Sequence, residues 1–336
     1  MAGIACAGNW IIDRIKTVDR YPAKGELANI LTEEIGPGGS PFNILGCFAK
    51  MKVGFPLLGF GCIGTDATAD QIFEICEKYG IPSDNLIQLS DKPTSFTDVM
   101  SVHGSGERTF FHARGANSGF NNTHVNIDLM KKQGIKLFHL GYLLLLDSLD
   151  AADASFGTVG ARLLSNVRAA GIETSLDLVT EQSEKFSTVH HALPHVDYLI
   201  INELETERIS GMELRNKEGK LLTEKLPQAC KVIFGLGVNK AVVIHAPEGV
   251  LWADREGSDT FVNSLNIPKE HFVGTTGAGD ACCTGILLGI HEKWPIEDTL
   301  RFSTGTAAAC IGAKNTVDGM RTVESVRKLC RDWIKK

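Results

Sequence analysis

The chain has no run of apolar residues approaching the ~20 needed to cross a bilayer as a helix, and its 336 residues carry no excess of positive charge. With 34 Lys and Arg against 40 Asp and Glu, the formal net charge is −6. That excludes the basic footprint which draws a protein to nucleic acid or anionic lipid. The nine cysteines are odd in number and form no Cys-x-x-Cys pair, so separate thiols in a reducing compartment are expected rather than a disulfide framework. A P-loop lysine motif, a linker-like segment, a low-complexity tract and an internal repeat are also lacking. Met1 to Asp13 has no basic stretch followed by an apolar one, so no leader is expected there. What remains is a cytoplasmic globular protein whose partner is a small molecule, with no nucleic-acid or membrane role.

Apolar residues make up 43% of the chain, enough for a substantial core, and the length fits one large α/β domain with an appendage. Short apolar runs at Phe55 to Leu58, Lys136 to Tyr142, Ile172 to Leu178, Tyr198 to Ile201 and Ala241 to His245 predict parallel strands. Amphipathic stretches at Ala67 to Tyr79, Ala151 to Ala170, Lys220 to Phe234, Gly277 to His291 and Ile296 to Ile311 predict the crossover helices between them. Two regions break the alternation and read as β-rich: Ile12 to Ile35, and Phe96 to His112 with a turn at His103-Gly104-Ser105-Gly106. Together they predict a small separate sheet, suited to act as a lid over a site at the strand ends.

Thr275-Thr276-Gly277-Ala278-Gly279-Asp280 runs directly into a helical pattern. Glycines at a helix N-terminus let an anion approach unpaired N–H groups at the positive end of the helix dipole. An aspartate at the same turn can accept a hydroxyl proton during phosphoryl transfer. The competing reading is a helix cap with glycine for tight packing. Gly38-Gly39-Ser40-Pro41-Phe42-Asn43 offers close backbone approach followed by an amide for hydroxyl recognition, or simply a glycine turn. Asn202-Glu203-Leu204-Glu205 at a strand end suits water-mediated Mg²⁺ and phosphate binding, or an N-capped acidic first turn. Gly59-Phe60-Gly61-Cys62-Ile63-Gly64 fits the GxGxxG dinucleotide fingerprint and makes an NAD-dependent dehydrogenase a second hypothesis, but no strand-end acid stands at the required spacing after it.

In this order, Gly38 to Asn43, Gly61-Cys62-Ile63-Gly64-Thr65-Asp66, Asn202 to Glu205 and Thr275 to Asp280 resemble the motifs of the ribokinase-like (PfkB) carbohydrate kinases across nearly the whole chain. The resemblance implies a three-layer α/β/α sandwich with a mostly parallel central sheet, a single kinase domain over 1–336, and a β-sheet lid formed by about 12–35 and 96–115. It implies ATP and Mg²⁺ and a sugar-like substrate with a primary hydroxyl, fructose-like or ribose-like. A nucleoside is the alternative substrate, and a degenerate sensor that binds without turnover is the alternative class. By the same resemblance Asp280 is the general base, and Gly277, Ala278 and Gly279 form the anion hole. Asp13, Gly39, Asn43 and Arg114 bind substrate, while Asn202, Glu205 and Thr276 serve the nucleotide, with Glu205 reaching Mg²⁺ through water. A homodimer joined through the lids is also implied. Departures stand at Gly274, where an Asp is usual and whose loss speaks against a monovalent-cation requirement. Others are His245-Ala246-Pro247 in place of Thr-Leu-Gly, Thr304 in place of Asn, and Leu178 to Glu181 after Asp177, where an Asn and an Arg are usual.

Overall fold

In a computed structural model, residues 2–104, 107–180 and 184–334 are described; Ser105 and Gly106 of the expected turn, and Glu181, lie outside them. Nine strands form one sheet in the order Asp259–Asn263, Gly249–Asp254, Ala241–Ala246, Tyr198–Asn202, Glu173–Leu178, Ile135–Leu143, Gly3–Gly8, Leu57–Ile63 and Leu86–Gln88. Neighbours pair in parallel except at the 241–246/249–254 and 249–254/259–263 hairpins. The strand Gly3–Gly8, paired on both sides, explains the layering. Ala5 and Ala7 pack into one apolar cluster while Ile4 and Cys6 pack into another, so both faces of the sheet are buried, as a parallel sheet with crossover helices requires.

Two predicted helices start later than the pattern suggests. Thr158 caps the helix Val159–Ala169 by accepting from Ala161 N–H at 3.1 Å, and the residues before it form a short antiparallel pair, Ala152–Asp153 with Gly157–Thr158. The helix Leu226–Gly235 carries Pro227 in its first turn, the place where a missing N–H costs nothing. The predicted start at Lys220 is therefore corrected to Leu226. The strand predicted over Phe55 to Leu58 runs instead over Leu57–Ile63 and contains the first two glycines of the GxGxxG match. Those glycines face Trp10: a Cβ on Gly59 would lie 2.8 Å from its ring, and one on Gly61 would overlap it. Trp10 donates to Phe60 O at 3.0 Å and stacks on Phe42, so these glycines make room for an indole, not for a pyrophosphate.

A second sheet of four strands has the order Ile30–Gly38, Ile11–Val18, Phe96–Val102 and Arg108–Ala113. The chain passes between the sheets near Asn9-Trp10, Gly39, Ser95 and Arg114-Gly115, and buried hydrogen bonds tie three of these crossings together. Asn117 exchanges bonds with Trp10, donating to its carbonyl (3.1 Å) and accepting from its N–H (3.2 Å). The Ser95 hydroxyl donates to Arg114 O (2.6 Å) and accepts from Asn117 N–H (3.1 Å). Gly39 has φ 87° and sits against the Asn9 carbonyl, where a side chain would collide.

Candidate active site

A cleft of about 860 Å³ lies at the carboxyl ends of the parallel strands, bordered on its other side by the small sheet. Asp13, Gly39, Asn43, Arg114, Asn202, Glu205, Thr276, Gly277, Gly279 and Asp280 all line it; Ala278 lies between two residues that do. Residues from five separate chain segments thus reach one cavity at the position where open α/β sheets hold ligands.

Gly277 caps the helix Ala278–Glu292 with φ 77°, and no side chain closes that end. The first-turn N–H groups have no carbonyl within the helix; Ala278 N–H is taken by Thr275 O at 3.2 Å, so Gly277 and Gly279 are the members of the expected anion hole that face the cleft. Asp280, in the first turn, is buried. Its Oδ2 accepts from Asn43 Nδ2 at 2.7 Å and from the Tyr142 hydroxyl at 3.0 Å. Asn43 is oriented in turn by Thr316, whose Oγ1 lies 2.6 Å from Asn43 Oδ1.

Tyr142 and Thr316 carry no motif signal. Tyr142 has φ 56°, held by Asn9 Nδ2 donating to its carbonyl at 3.1 Å; the left-handed conformation costs a side-chain-bearing residue about 1–2 kcal/mol. Asp177, notable in the sequence only for the departure at Leu178 to Glu181 beside it, lines the cleft and accepts from Ser40 Oγ at 3.0 Å.

Burial dominates the electrostatics. Loss of water pushes Asp280 above the usual carboxylate range. It drives Asp177 well above that range, aided by Glu205 and Asp280. Asp13 is pushed up to about 8, by burial first and Asp280 second, and burial raises Glu205 to about 7. Four acids in one cleft, each costly to ionise there, suit a site that receives compensating cations. Asn202 and Glu205 form a reciprocal capping box on the helix Glu203–Ser210, so the helix-cap reading is realised while both side chains also border the cleft. Thr180 Oγ1 donates to Glu205 Oε1 at 2.9 Å.

Across the small sheet, Asp13 pairs with Thr97 and Thr97 with His112, and all three side chains line the cleft. Arg114 borders it too, with Nη1 donating to Asp147 Oδ1 at 2.7 Å and Leu144 O at 3.2 Å.

The sequence pattern of the pfkB family of carbohydrate kinases matches residues 1–323. The chain belongs to this family of ATP-dependent sugar kinases. It is 25% identical over 317 residues to a ribokinase of Arabidopsis thaliana, covering 94% of this chain and 77% of that one. It is 21% identical over 308 residues to fructokinase-2 of Oryza sativa subsp. japonica, covering 87% and 84%. The structure of Arabidopsis thaliana ribokinase complexed with ribose and ATP matches with TM-score 0.80 at 23% identity, over 98% of this chain and 99% of that one. The pfkB fold is therefore the ribokinase-like one, and family membership displaces the dehydrogenase hypothesis.

Two departures from the pfkB pattern fall in different places. His245 lines the cleft beside Gly279, and burial lowers it to about 4. Thr304 does not: it is buried in the helix Ile296–Ile311, with Oγ1 donating to Arg301 O at 2.8 Å, and borders a separate cavity of about 420 Å³ with Thr260 and Glu297.

Proposed function

We infer that this kinase transfers the γ-phosphoryl group of ATP to a primary hydroxyl of a ribose-like or fructose-like sugar, with Asp280 as general base. The observation that carries this reading is the meeting of Asp280 with an uncapped helix N-terminus on one side and with Asp13, Gly39 and Asn43 on the other. The sugar hydroxyl binds the Asp280 oxygen that Asn43 and Tyr142 leave open. As the hydroxyl oxygen attacks, its proton passes to Asp280, a new O–P bond forms, and the bond from γ-phosphorus to the β–γ bridging oxygen breaks with its electron pair leaving on ADP. Gly277 and Gly279 N–H groups face the charge that develops.

Among the described residues no three His, Cys, Asp or Glu could cage a metal. That fits Mg²⁺, which keeps several waters and takes one or two carboxylates plus nucleotide phosphates. Glu205, with Asn202 and Thr180 beside it, is the group to hold the hydrated ion; bound there, Mg²⁺ supplies neutralisation of phosphate charge. The test of the whole reading is ADP release across a panel of pentoses, hexoses and nucleosides with Mg²⁺ present and K⁺ varied. Turnover is expected with a ribose-like or fructose-like sugar. Preference for a nucleoside would move the substrate class, and binding without ADP from any of them would make the chain a sensor.

The small sheet is read as the lid of this site. Among the described residues, Leu27, Ile30, Leu31, Ile35 and Phe111 are large apolar side chains exposed on it or on its internal loop, while the exposed Phe110 borders the cleft, and a four-stranded sheet needs a covered apolar surface to be stable. A second copy of this chain provides that cover. Light scattering at micromolar concentration should give twice the chain mass; a monomer with full activity would rule out an obligatory lid-to-lid dimer. All nine cysteines are buried free thiols, consistent with residence in a reducing cytoplasm.

A further inference from the structure

Among the described residues, Lys52, Tyr142, Leu144 and Lys293 are the ones that carry a side chain and yet have positive φ. Lys52 and Lys293 each cap the C-terminus of a helix, where a left-handed residue is routine. Tyr142 (φ 56°) and Leu144 (φ 85°) end no helix; they stand two residues apart where the strand Ile135–Leu143 runs out beside the cleft. Backbone in so unfavourable a conformation persists only where its surroundings over-determine it, and such places cluster at functional sites.

Four hydrogen bonds supply that constraint. Asn9 Nδ2 donates to the Tyr142 carbonyl at 3.1 Å, and Arg114 Nη1 donates to the Leu144 carbonyl at 3.2 Å. Both oxygens of the Asp150 carboxyl are engaged, Oδ1 accepting from Leu144 N–H at 3.0 Å and Oδ2 from Leu146 N–H at 3.1 Å. The result is a broken pleat. Successive side chains of a strand point to opposite faces, but Leu143 and Leu144 both enter the same apolar cluster, while Tyr142 and Leu145 line the cleft. Burial of leucines accounts for the inward pair alone. It does not account for the Tyr142 hydroxyl, which is sent to Asp280 Oδ2 at 3.0 Å.

We propose that Asp150 and Asn9 are positioning residues of the phosphoryl transfer, clamping the strained turn 142–146 so that the Tyr142 hydroxyl meets Asp280. The proposal rests on the sugar-kinase reading above. Neither residue lines the cleft, and neither makes or breaks a bond; both act through Tyr142. With Asn43 as the other donor to Oδ2, the carboxyl is held from two directions and needs no reorientation when the hydroxyl proton arrives.

The experiment is a double-mutant cycle in kcat on a sugar that wild type phosphorylates, with ATP KM and melting temperatures alongside. Tyr142→Phe keeps the ring and should lower kcat about 10- to 100-fold, the scale of one hydrogen bond to a charged group. Asp150→Asn leaves one acceptor where two N–H groups need one each, so the turn loosens and kcat should fall about tenfold or more. ATP KM should stay within about threefold in both, because the lost interaction serves the transition state. The double variant Tyr142→Phe/Asp150→Asn should lie no more than about threefold below Tyr142→Phe alone, since Asp150 then has no hydroxyl left to aim. A purely structural role would instead let the two losses multiply. Asn9→Ala frees the Tyr142 carbonyl and repeats the cycle through an independent anchor, which decides alone if Asp150→Asn does not fold. A kcat within about threefold of wild type for Tyr142→Phe or for a folded anchor variant, or losses that multiply in the double variant, overturns the proposal. Should neither anchor variant fold, kcat in Tyr142→Phe decides by the same bound. A wild type that releases no ADP with any sugar or nucleoside overturns the kinase reading itself, and this proposal with it.

Discussion

Asp280→Asn folds normally and loses about 10²–10⁴-fold in turnover, the usual contribution of a positioned general base. The amide oxygen can still accept from Asn43 and Tyr142, as Asp280 Oδ2 does at 2.7 and 3.0 Å, so the local geometry survives. What disappears is the only part of the side chain that can take a proton. Stability should hold or rise, because the buried carboxyl is already pushed toward its neutral form by loss of water and a neutral amide avoids that cost. The pH profile supplies a second readout. Only the ionised carboxylate can act, and its pKa lies above the usual carboxylate range. Wild-type kcat should therefore fall as pH falls through that raised value, and the residual rate of the variant should lack this acid limb. Turnover within about tenfold of wild type, or an unchanged acid limb, would remove Asp280 from the role.

Gly277→Ala is expected to cut kcat/KM for ATP by up to about 10²–10³-fold, the scale of one anion-hole donor, because the strained turn moves the retained backbone N–H out of place, and to lower stability by about 1–2 kcal/mol from a left-handed backbone forced on a side chain. Gly277 has φ 77°, and a Cβ there would meet Thr316 Cγ2 at 2.6 Å. Thr316 cannot move freely. Its hydroxyl reaches both Asn43 Oδ1 (2.6 Å) and Pro37 O (3.0 Å), so displacing it disturbs the amide that orients Asp280. Gly279→Ala is the matched control: that position is helical, and the new methyl would meet only the His245 ring at 3.2 Å or more. Steady-state kinetics with ATP varied, together with thermal melts, compare the two. Equal losses in both variants would mean that the clash with Thr316 is not what matters.

Local chemistry is legible from the sequence, and cross-chain geometry is not. Glycines before Asp280, the Gly39 to Asn43 turn and the Asn202 to Glu205 cap each declare themselves within a few neighbouring residues, because turn and cap chemistry is local. The partners that finish the site come from far away. Tyr142 lies 138 residues from Asp280 and Thr316 lies 273 from Asn43; Tyr142 ends a run read as a strand and Thr316 falls outside every predicted element, and neither position announces its distant partner. Arg108 reads only as part of a β-rich stretch, since its bond to Thr275 joins residues 167 apart. Among strands, Gly3–Gly8 leaves little trace because Gly-Ile-Ala-Cys-Ala-Gly has weak intrinsic strand preference. Its pairing with Leu57–Ile63 on one side and Ile135–Leu143 on the other decides its conformation. The antiparallel hairpins at 249–263 are likewise set by the edge they extend.

The bonds among Asn117, Trp10, Ser95 and Arg114 have a mechanical consequence. Each of these residues sits at or beside a place where the chain leaves one sheet for the other, and the Gly39 crossing is wedged against Asn9. The four connections therefore cannot swing separately, since bending one alone would break buried bonds or drive Gly39 into the Asn9 carbonyl. Any reorientation of the small sheet moves it as a single plate on one axle. Asp13 and Thr97 then travel with Arg108 and His112, which line the same cleft, so a ligand that draws on one strand of the sheet moves every sheet residue it faces.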